Sequence, residues 1–309
     1  MSAGIGGWGV PLAILGGALQ VSTPFLFVSL GECVTETSGR INLGLEGTLV
    51  FGAMSGYAGS YLTGSPWLGV LMAGGAGILF GLLHGALCSL RSVNDIAVGI
   101  ALMVLGTGLA FFFGKAFIQP AAPLLPAINC GWWSSVRQVR QALAICPLFP
   151  LGVVIALLLS WMFHQTRPGL VLRMVGDSAD AARAMGYRVL PVRIAATCFG
   201  GFMAGIGGAY LSLFYPGSWS EGIASGQGLI AVALVIFARW RPLACFGAAL
   251  IFGGAGALGP ALQSVGIGSG AASYLFNAAP YVLTLIILMA TSSRQGVLEG
   301  APRELSITR

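Results

Sequence analysis

Apolar runs near or above the ~20 residues that cross a bilayer recur down the whole chain, and polar residues gather between the runs instead of alternating with them. The first charged side chain is Glu32. This pattern predicts an all-α polytopic membrane protein with about nine transmembrane helices (8–10). The spans are expected near residues 9–30, 43–63, 66–89, 93–115, 147–164, 192–214, 226–238, 242–265 and 274–292. Two longer polar intervals separate them. Residues 116–146 hold Pro120, Pro123, Pro126, Trp132 and Trp133, which suits an extramembrane loop with an aromatic anchor at the interface. Residues 165–191 are the most charged part of the chain, with Arg167, Arg173, Arg183 and Arg188. The N-terminus lacks the positive region of a cleavable signal peptide, and its apolar run is too long for one.

Composition rules out a soluble fold. Residues are 56% hydrophobic and 8% charged, against roughly 25% charged in an ordinary soluble domain. The 15 basic and 9 acidic residues give a net +6, but the arginines lie between spans and form no aromatic-interleaved patch. The charge therefore reports topology and lipid contact, and no nucleic-acid partner is expected. The positive-inside rule places 165–191 in the cytoplasm. Alternation then puts 116–146, 215–225 and 266–273 outside, and Arg91, Arg239, Arg241 and the 293–309 tail with Arg294, Arg303 and Arg309 inside. Arg137 and Arg140 are exceptions on the outer side, and the N-terminus is expected outside.

Glycine supplies 48 residues, many of them within spans. Gly52/Gly56/Ser60 and Gly201/Gly205/Ala209 recur every four residues, which lines one helix face with small groups and lets backbones approach. The six cysteines show no CxxC spacing. Cys33, Cys88, Cys198 and Cys245 read as buried inert thiols. Cys130 and Cys146 fall on the expected oxidising face, where a disulfide is an alternative to free thiols.

Two segments carry candidate function. Residues 31–47 place Glu32, Glu36, Glu46, Arg40 and Asn42 among four glycines, between apolar runs. Carboxylates so close to hydrocarbon usually face a bundle interior or an aqueous cavity, and glycines there permit a broken helix that binds a polar solute. Glu46, Asn42 and Glu32 are therefore candidates for a translocation pathway; a solvated loop with a Glu–Arg pair is the alternative. The second segment is 167–187. There Asp177 is expected to cap a two-turn helix over 178–185, with Asp180 in its first turn, Ala181, Ala182, Ala184 and Met185 on a small apolar face, and Gly186 at the left-handed position past its end. A helix so short is unstable alone, so it is expected to dock on something.

Other polar residues are less telling. Asn94 and Asp95 suit a helix start. His84 and Asn277 either line a pathway or make contacts between helices. His164 is expected at the interface and Glu221 in a solvated loop. No paired acid and base, metal cluster or activated nucleophile stands out, and no glycine-rich stretch matches the phosphate loop GxxxxGK[ST].

The run RPGLVLRMVGDSADAARAMGY at 167–187, followed by RIAATCFGGFMAGIGGAYLSL, resembles the coupling-loop region of ABC importer permeases of the ribose, branched-chain amino acid and nucleoside group. SGRINLGLEG at 38–47 resembles the motif at the start of an early helix in those proteins. GQGLIAVAL at 226–234, RWRP at 239–242 and PYVLT at 280–284 are most similar to the nucleoside branch. The resemblance implies a single transmembrane permease domain over 1–309 that holds no cofactor and is not itself an enzyme. ATP and Mg would belong to a cytoplasmic ABC ATPase that grips the 178–185 helix through Gly176, Asp177, Asp180, Ala181, Ala182, Met185 and Gly186. It further implies a second, homologous permease chain in a heterodimer, an extracytoplasmic solute-binding protein, and a place in the bacterial inner membrane. The implied cargo is a nucleoside or related nucleobase compound, with a sugar or riboflavin as alternatives and an ion-coupled secondary transporter as the more distant one.

Overall fold

A computed structural model of the chain describes residues 9–90, 93–118, 120–129, 140, 143–264, 278–292 and 301–307, and the account below concerns these. In order they form α1 (Gly9–Thr37), α2 (Leu45–Thr63), α3 (Pro66–Leu87), α4 (Asp95–Gly114), a short antiparallel pair β1 (Ile128–Asn129) and β2 (Ala144–Ile145), and α5 (Leu148–Gln165). Then come α6 (Arg167–Asp177), α7 (Ala179–Ala184), α8 (Val189–Leu213), α9 (Gln227–Phe237), α10 (Pro242–Ser264), α11 (Ala279–Ser292) and α12 (Glu304–Ile307).

Six helices are long and apolar enough to cross a membrane: Ile14–Thr37, Pro66–Leu87, Asp95–Phe117, Leu148–Gln165, Val189–Leu213 and Pro242–Gln263. The other three expected spans correspond to α2, α9 and α11. Helix α2 is less apolar than these six, rich in glycine and small residues, and most of its length is buried against α3, α4 and α8, so protein replaces lipid as its solvent. Helix α9 has only 11 residues, which at 1.5 Å per residue is ~16 Å, about half the hydrocarbon thickness. Large apolar side chains such as Leu71, Leu79, Val104, Phe112, Leu158 and Trp161 are exposed on α3, α4 and α5, as expected of faces turned to lipid.

The two small-residue stripes pack against each other. A Cβ added to Gly52 of α2 would stand 2.7 Å from the Gly205 Cα of α8, and one on Gly56 would lie 3.0 Å from the Ala209 Cβ. Gly201 meets Gly77 of α3 in the same way. Helix α8 is thus the post around which α1, α2 and α3 are assembled, and close packing replaces the hydrophobic drive that lipid removes.

Helix α1 does not stop near residue 30. It runs through Glu32 and Glu36 to Thr37, and the turn that follows covers only 38–44. The helix can continue because one oxygen of each carboxylate finds a donor inside the protein, as described below, while Glu32 Oε2 and Glu36 Oε1 are buried without one among the described residues. The charged interval after α5 also holds more helix than expected. Thr166 caps α6, its hydroxyl accepting from Gly169 N at 3.3 Å, with Pro168 in the first turn. Asp177 is therefore the last residue of α6, and the cap of α7 passes to Ser178, whose Oγ accepts from Ala181 N at 3.2 Å. Gly186 does take the left-handed conformation, with φ +84°.

Candidate functional site

The 38–44 turn brings three helices together. Glu32 is fully buried, and its Oε1 accepts from the Asn42 backbone N at 2.8 Å; the Asn42 side chain in turn accepts from Gly44 N at 2.9 Å. The turn therefore climbs back to the level of Glu32, about 7 Å inside the end of α1 at 1.5 Å per residue, before α2 begins. Glu36 accepts from the Trp240 indole just beyond α9. Arg40 pairs with Asp95 of α4 at 2.6 Å rather than with a neighbouring glutamate. Glu32, Glu36 and Asn42 are buried, so the solvated-loop alternative does not hold.

Glu46, in the first turn of α2, faces the start of α9. Its Oε1 accepts from Gly226 N at 2.7 Å and its Oε2 from Gly228 N at 2.6 Å. The carboxylate thus satisfies two amides that a helix start leaves open and lies at the positive end of the helix dipole. Both glycines are required by this contact. Gly226 has φ +81°, and a Cβ on Gly228 would stand 2.6 Å from the Glu46 backbone. Gln227 between them has its side-chain carbonyl buried with no partner among the described residues. The Tyr281 hydroxyl of α11 donates to the Ser225 carbonyl, on the exposed side of the same junction. The far end of α9 is held by Trp240 to Glu36, and its start lies ~16 Å from that end along the helix axis. Ser225 and Tyr281 are exposed beside this short helix and the carboxylate at its start.

A second polar constellation ties the α6–α7 segment to that turn. Glu304 of α12 accepts from Ala179 N at 2.9 Å and from Arg193 of α8 at 3.0 Å. Arg193 also donates to the Ser38 carbonyl at 3.1 Å. Gly176 lies directly against the Thr37 carbonyl, so close that a Cβ there would overlap it. On α7 itself, Asp180 pairs with Arg183 at 2.6 Å on an exposed face. Ala181, Met185 and Gly186 are exposed as well, and Asp177 is exposed at the end of α6.

Ala182 departs from its expected role. It is fully buried in a cluster with Val175, Ala179 and Val189, because the α6–α7 angle turns that edge inward. The small apolar face is thereby split: Ala179 and Ala182 pack within the chain, while Ala181 and Met185 remain outside.

The remaining candidates fall apart in space. His84 is buried on α3 beside Cys88 and Asp95, not with Glu46. Asn277 lies outside the described residues, as does Cys130; Cys146 is a buried free thiol. Asn94 caps α4 as expected, accepting from Ile96 N at 2.8 Å. Sequence reasoning did not find the Glu46 amide partners, although two glycines around Gln227 mark a helix start. It missed Glu304 and Trp240 too, whose partners lie 125 and 204 residues away.

Comparison with known proteins places these features in context. Residues 14–292 match the family described as branched-chain amino acid transport system, permease component. The nucleoside ABC transporter permease protein NupC of Lactococcus lactis is 31% identical over 289 residues, covering 89% of this chain and 90% of its own. The guanosine ABC transporter permease protein NupQ of Bacillus subtilis is 30% identical over 298 residues, with 89% and 90% coverage. TsgC13 of Haloferax volcanii, whose name assigns it to glucose transport, is 33% identical over 245 residues, covering 78% of this chain and 74% of its own.

Proposed function

Because the chain belongs to this family of ABC importer permeases, with ATP hydrolysis residing in a partner subunit, we propose that it forms part of the translocation pathway for a nucleoside or related nucleobase compound. The observation that carries the cargo is the similarity to two nucleoside-class permeases along nearly the full length of both chains. The glucose-named relative supports a second reading, a sugar, at similar identity over a shorter stretch.

In this reading the Thr37 end of the bundle faces the cytoplasm, as the basic residues of 165–191 favour, and the membrane is the bacterial cytoplasmic one. Helix α7 is the piece the ATPase grips, through Ala181, Met185 and the Asp180–Arg183 edge, which are the parts of it left exposed. Its movement reaches the pathway through Glu304 and Arg193 to the Ser38 carbonyl, and through Gly176 against Thr37. The 38–44 turn then carries it to Glu32, Asn42 and the start of α2, where Glu46 meets α9. Glu46, Gln227 and Tyr281 are the groups placed to meet solute. A homologous second permease chain and an extracytoplasmic binding protein complete the importer.

The test is uptake by the reconstituted importer with a panel of nucleosides, nucleobases, sugars and riboflavin. Saturable, ATP-dependent uptake of a nucleoside, with sugars failing to compete, is the expected result; uptake of a hexose with nucleosides inert would overturn the cargo and leave the permease assignment standing.

A further inference from the structure

His84, Cys88 and Asp95 form a cluster that the pathway does not use. His84 and Cys88 are one helical turn apart at the end of α3, and Asp95 opens α4. All three are buried, and one ligand atom from each lies within 4.8 Å of the others. Cys88 Sγ is 3.6 Å from His84 Nε2, and the same thiol lies against the Asp95 carboxylate. Two atoms of the cluster lack partners among the described residues, His84 Nδ1 and Asp95 Oδ2. The Ile41 backbone lies beside the imidazole without making a normal hydrogen bond to Nδ1. Buried polar atoms without partners are few in folded proteins and call for a reason.

The nearest groups, the Ile41 backbone and the Cys88 thiol, leave both atoms short of a hydrogen bond. Arg40 holds Asp95 Oδ1 at 2.6 Å, which neutralises the carboxylate but leaves Oδ2 without a partner among the described residues. An arginine on the outer oxygen is the arrangement by which second-layer groups orient a metal-binding carboxylate. The donor set is one thiol, one imidazole and one carboxylate. Sulfur and nitrogen donors favour zinc or cobalt over magnesium or calcium, and three protein ligands leave a fourth position open for water. Val93 and Asn94, which lead into Asp95, are exposed and give an ion a short way in.

We propose that His84, Cys88 and Asp95 form a binding site for a borderline divalent cation of the zinc class, tying the end of α3 to the start of α4 beside the 38–44 turn. Binding converts the Cys88 thiol to a thiolate, and its proton leaves to solvent. The dication then faces two anionic ligands, with Arg40 remaining on the outer carboxylate oxygen. Contraction from 4.8 Å to the spacing set by ~2.0–2.3 Å metal–ligand bonds would draw the two helix ends together.

The test uses the full chain carried on a tag without histidines and titrated with Co2+. The expected result is one tightly bound ion per chain with a thiolate-to-cobalt charge-transfer band. Cys88→Ser should abolish that band, His84→Gln should weaken binding, and Cys33→Ser, another buried thiol, should leave the band intact. Absence of the band in the natural sequence, or its survival in Cys88→Ser, would overturn the proposal. Should Cys88→Ser fail to fold, X-ray absorption of the zinc-loaded natural chain decides: one sulfur neighbour near ~2.3 Å supports the site, and a shell of nitrogen and oxygen only refutes it.

Discussion

Replacing Glu46 tests whether the start of α9 depends on a carboxylate from another helix. The two bonds run to Gly226 N and Gly228 N at 2.7 and 2.6 Å. Hydrogen bonds to a charged group contribute roughly 1.5–3 kcal/mol each. Glu46→Gln keeps one oxygen acceptor but turns an amide NH2 toward the other backbone N–H, so about one charge-assisted bond is lost and one buried donor is left open. The combined cost is ~2–4 kcal/mol. Glu46→Ala opens both donors and should cost as much or more. The direct assay is amide hydrogen exchange over 226–232, where a local loss of ~2–4 kcal/mol speeds exchange roughly 30-fold to nearly 1000-fold. Glu46→Asp, one methylene shorter, reaches at most one amide and should fall between. Uptake by the reconstituted importer should decline in the same order. If Glu46→Ala exchanged at the natural rate over 226–232, the carboxylate would not be what holds this helix start, and the proposed meeting of solute with Glu46 there would lose its basis.

Glu304→Ala removes the acceptor shared by Ala179 N and Arg193; solute uptake should fall about tenfold, the equivalent of one ~1.5 kcal/mol charge-assisted bond, while the assembled complex still hydrolyses ATP. Equal losses of uptake and hydrolysis would mean that Glu304 serves folding rather than coupling. Met185→Asp, on the exposed side of α7, should release the ATPase subunit without altering the thermal stability of the permease. Ala182→Arg should instead destabilise the chain itself by ~1–3 kcal/mol or more, because it overpacks a buried cluster. If both variants released the ATPase from an equally stable permease, the division of α7 into inner and outer faces would be wrong.

These pairs show which parts of the molecule the sequence disclosed. The spans of α3, α4, α5, α8 and α10 were legible because lipid-facing helices must be apolar for ~20 residues, and the glycine stripes of α2 and α8 were legible because four-residue spacing puts them on one face. Helix α1 extends past its apolar run, which ends near residue 30, through Glu32 and Glu36, residues costly in a membrane. One oxygen of each is met by an amide from Asn42 or an indole from Trp240, and a local reading does not see donors that arrive from elsewhere. The cap of α7 was misplaced by one residue for a related reason: Asp177 and Ser178 are both good caps, and only the length of α6 decides between them. Ala182 looked like docking surface because small apolar residues suit both a partner groove and a close helix–helix contact.

The arrangement around 38–44 has a mechanical consequence for the proposed transport cycle. Three short elements, α7, the turn and α9, are held to the bundle by charge-assisted bonds made through Glu304, Arg193, Glu46 and Glu36, whereas the long helices α1, α2, α3 and α8 are joined by backbone contact at glycines. The second kind of joint has almost no freedom to slide, since a Cβ-sized displacement at Gly52 or Gly201 drives backbone into backbone. The first kind can exchange partners over an ångström or two. Movement imposed on α7 is therefore expected to leave the α8-centred post rigid and to be taken up where Glu304, Arg193, Asn42 and Glu46 make their bonds. Amide hydrogen exchange on the natural sequence separates this from whole-bundle rocking. Amides of α2 and α8 along the Gly52–Gly205 contact should exchange equally with and without ATP in the assembled importer, while those of 38–44 and 226–230 should exchange at different rates in the two states. An ATP-dependent change along the α2–α8 contact as large as that at 38–44 would show that the post itself moves, and would remove the distinction between the two kinds of joint.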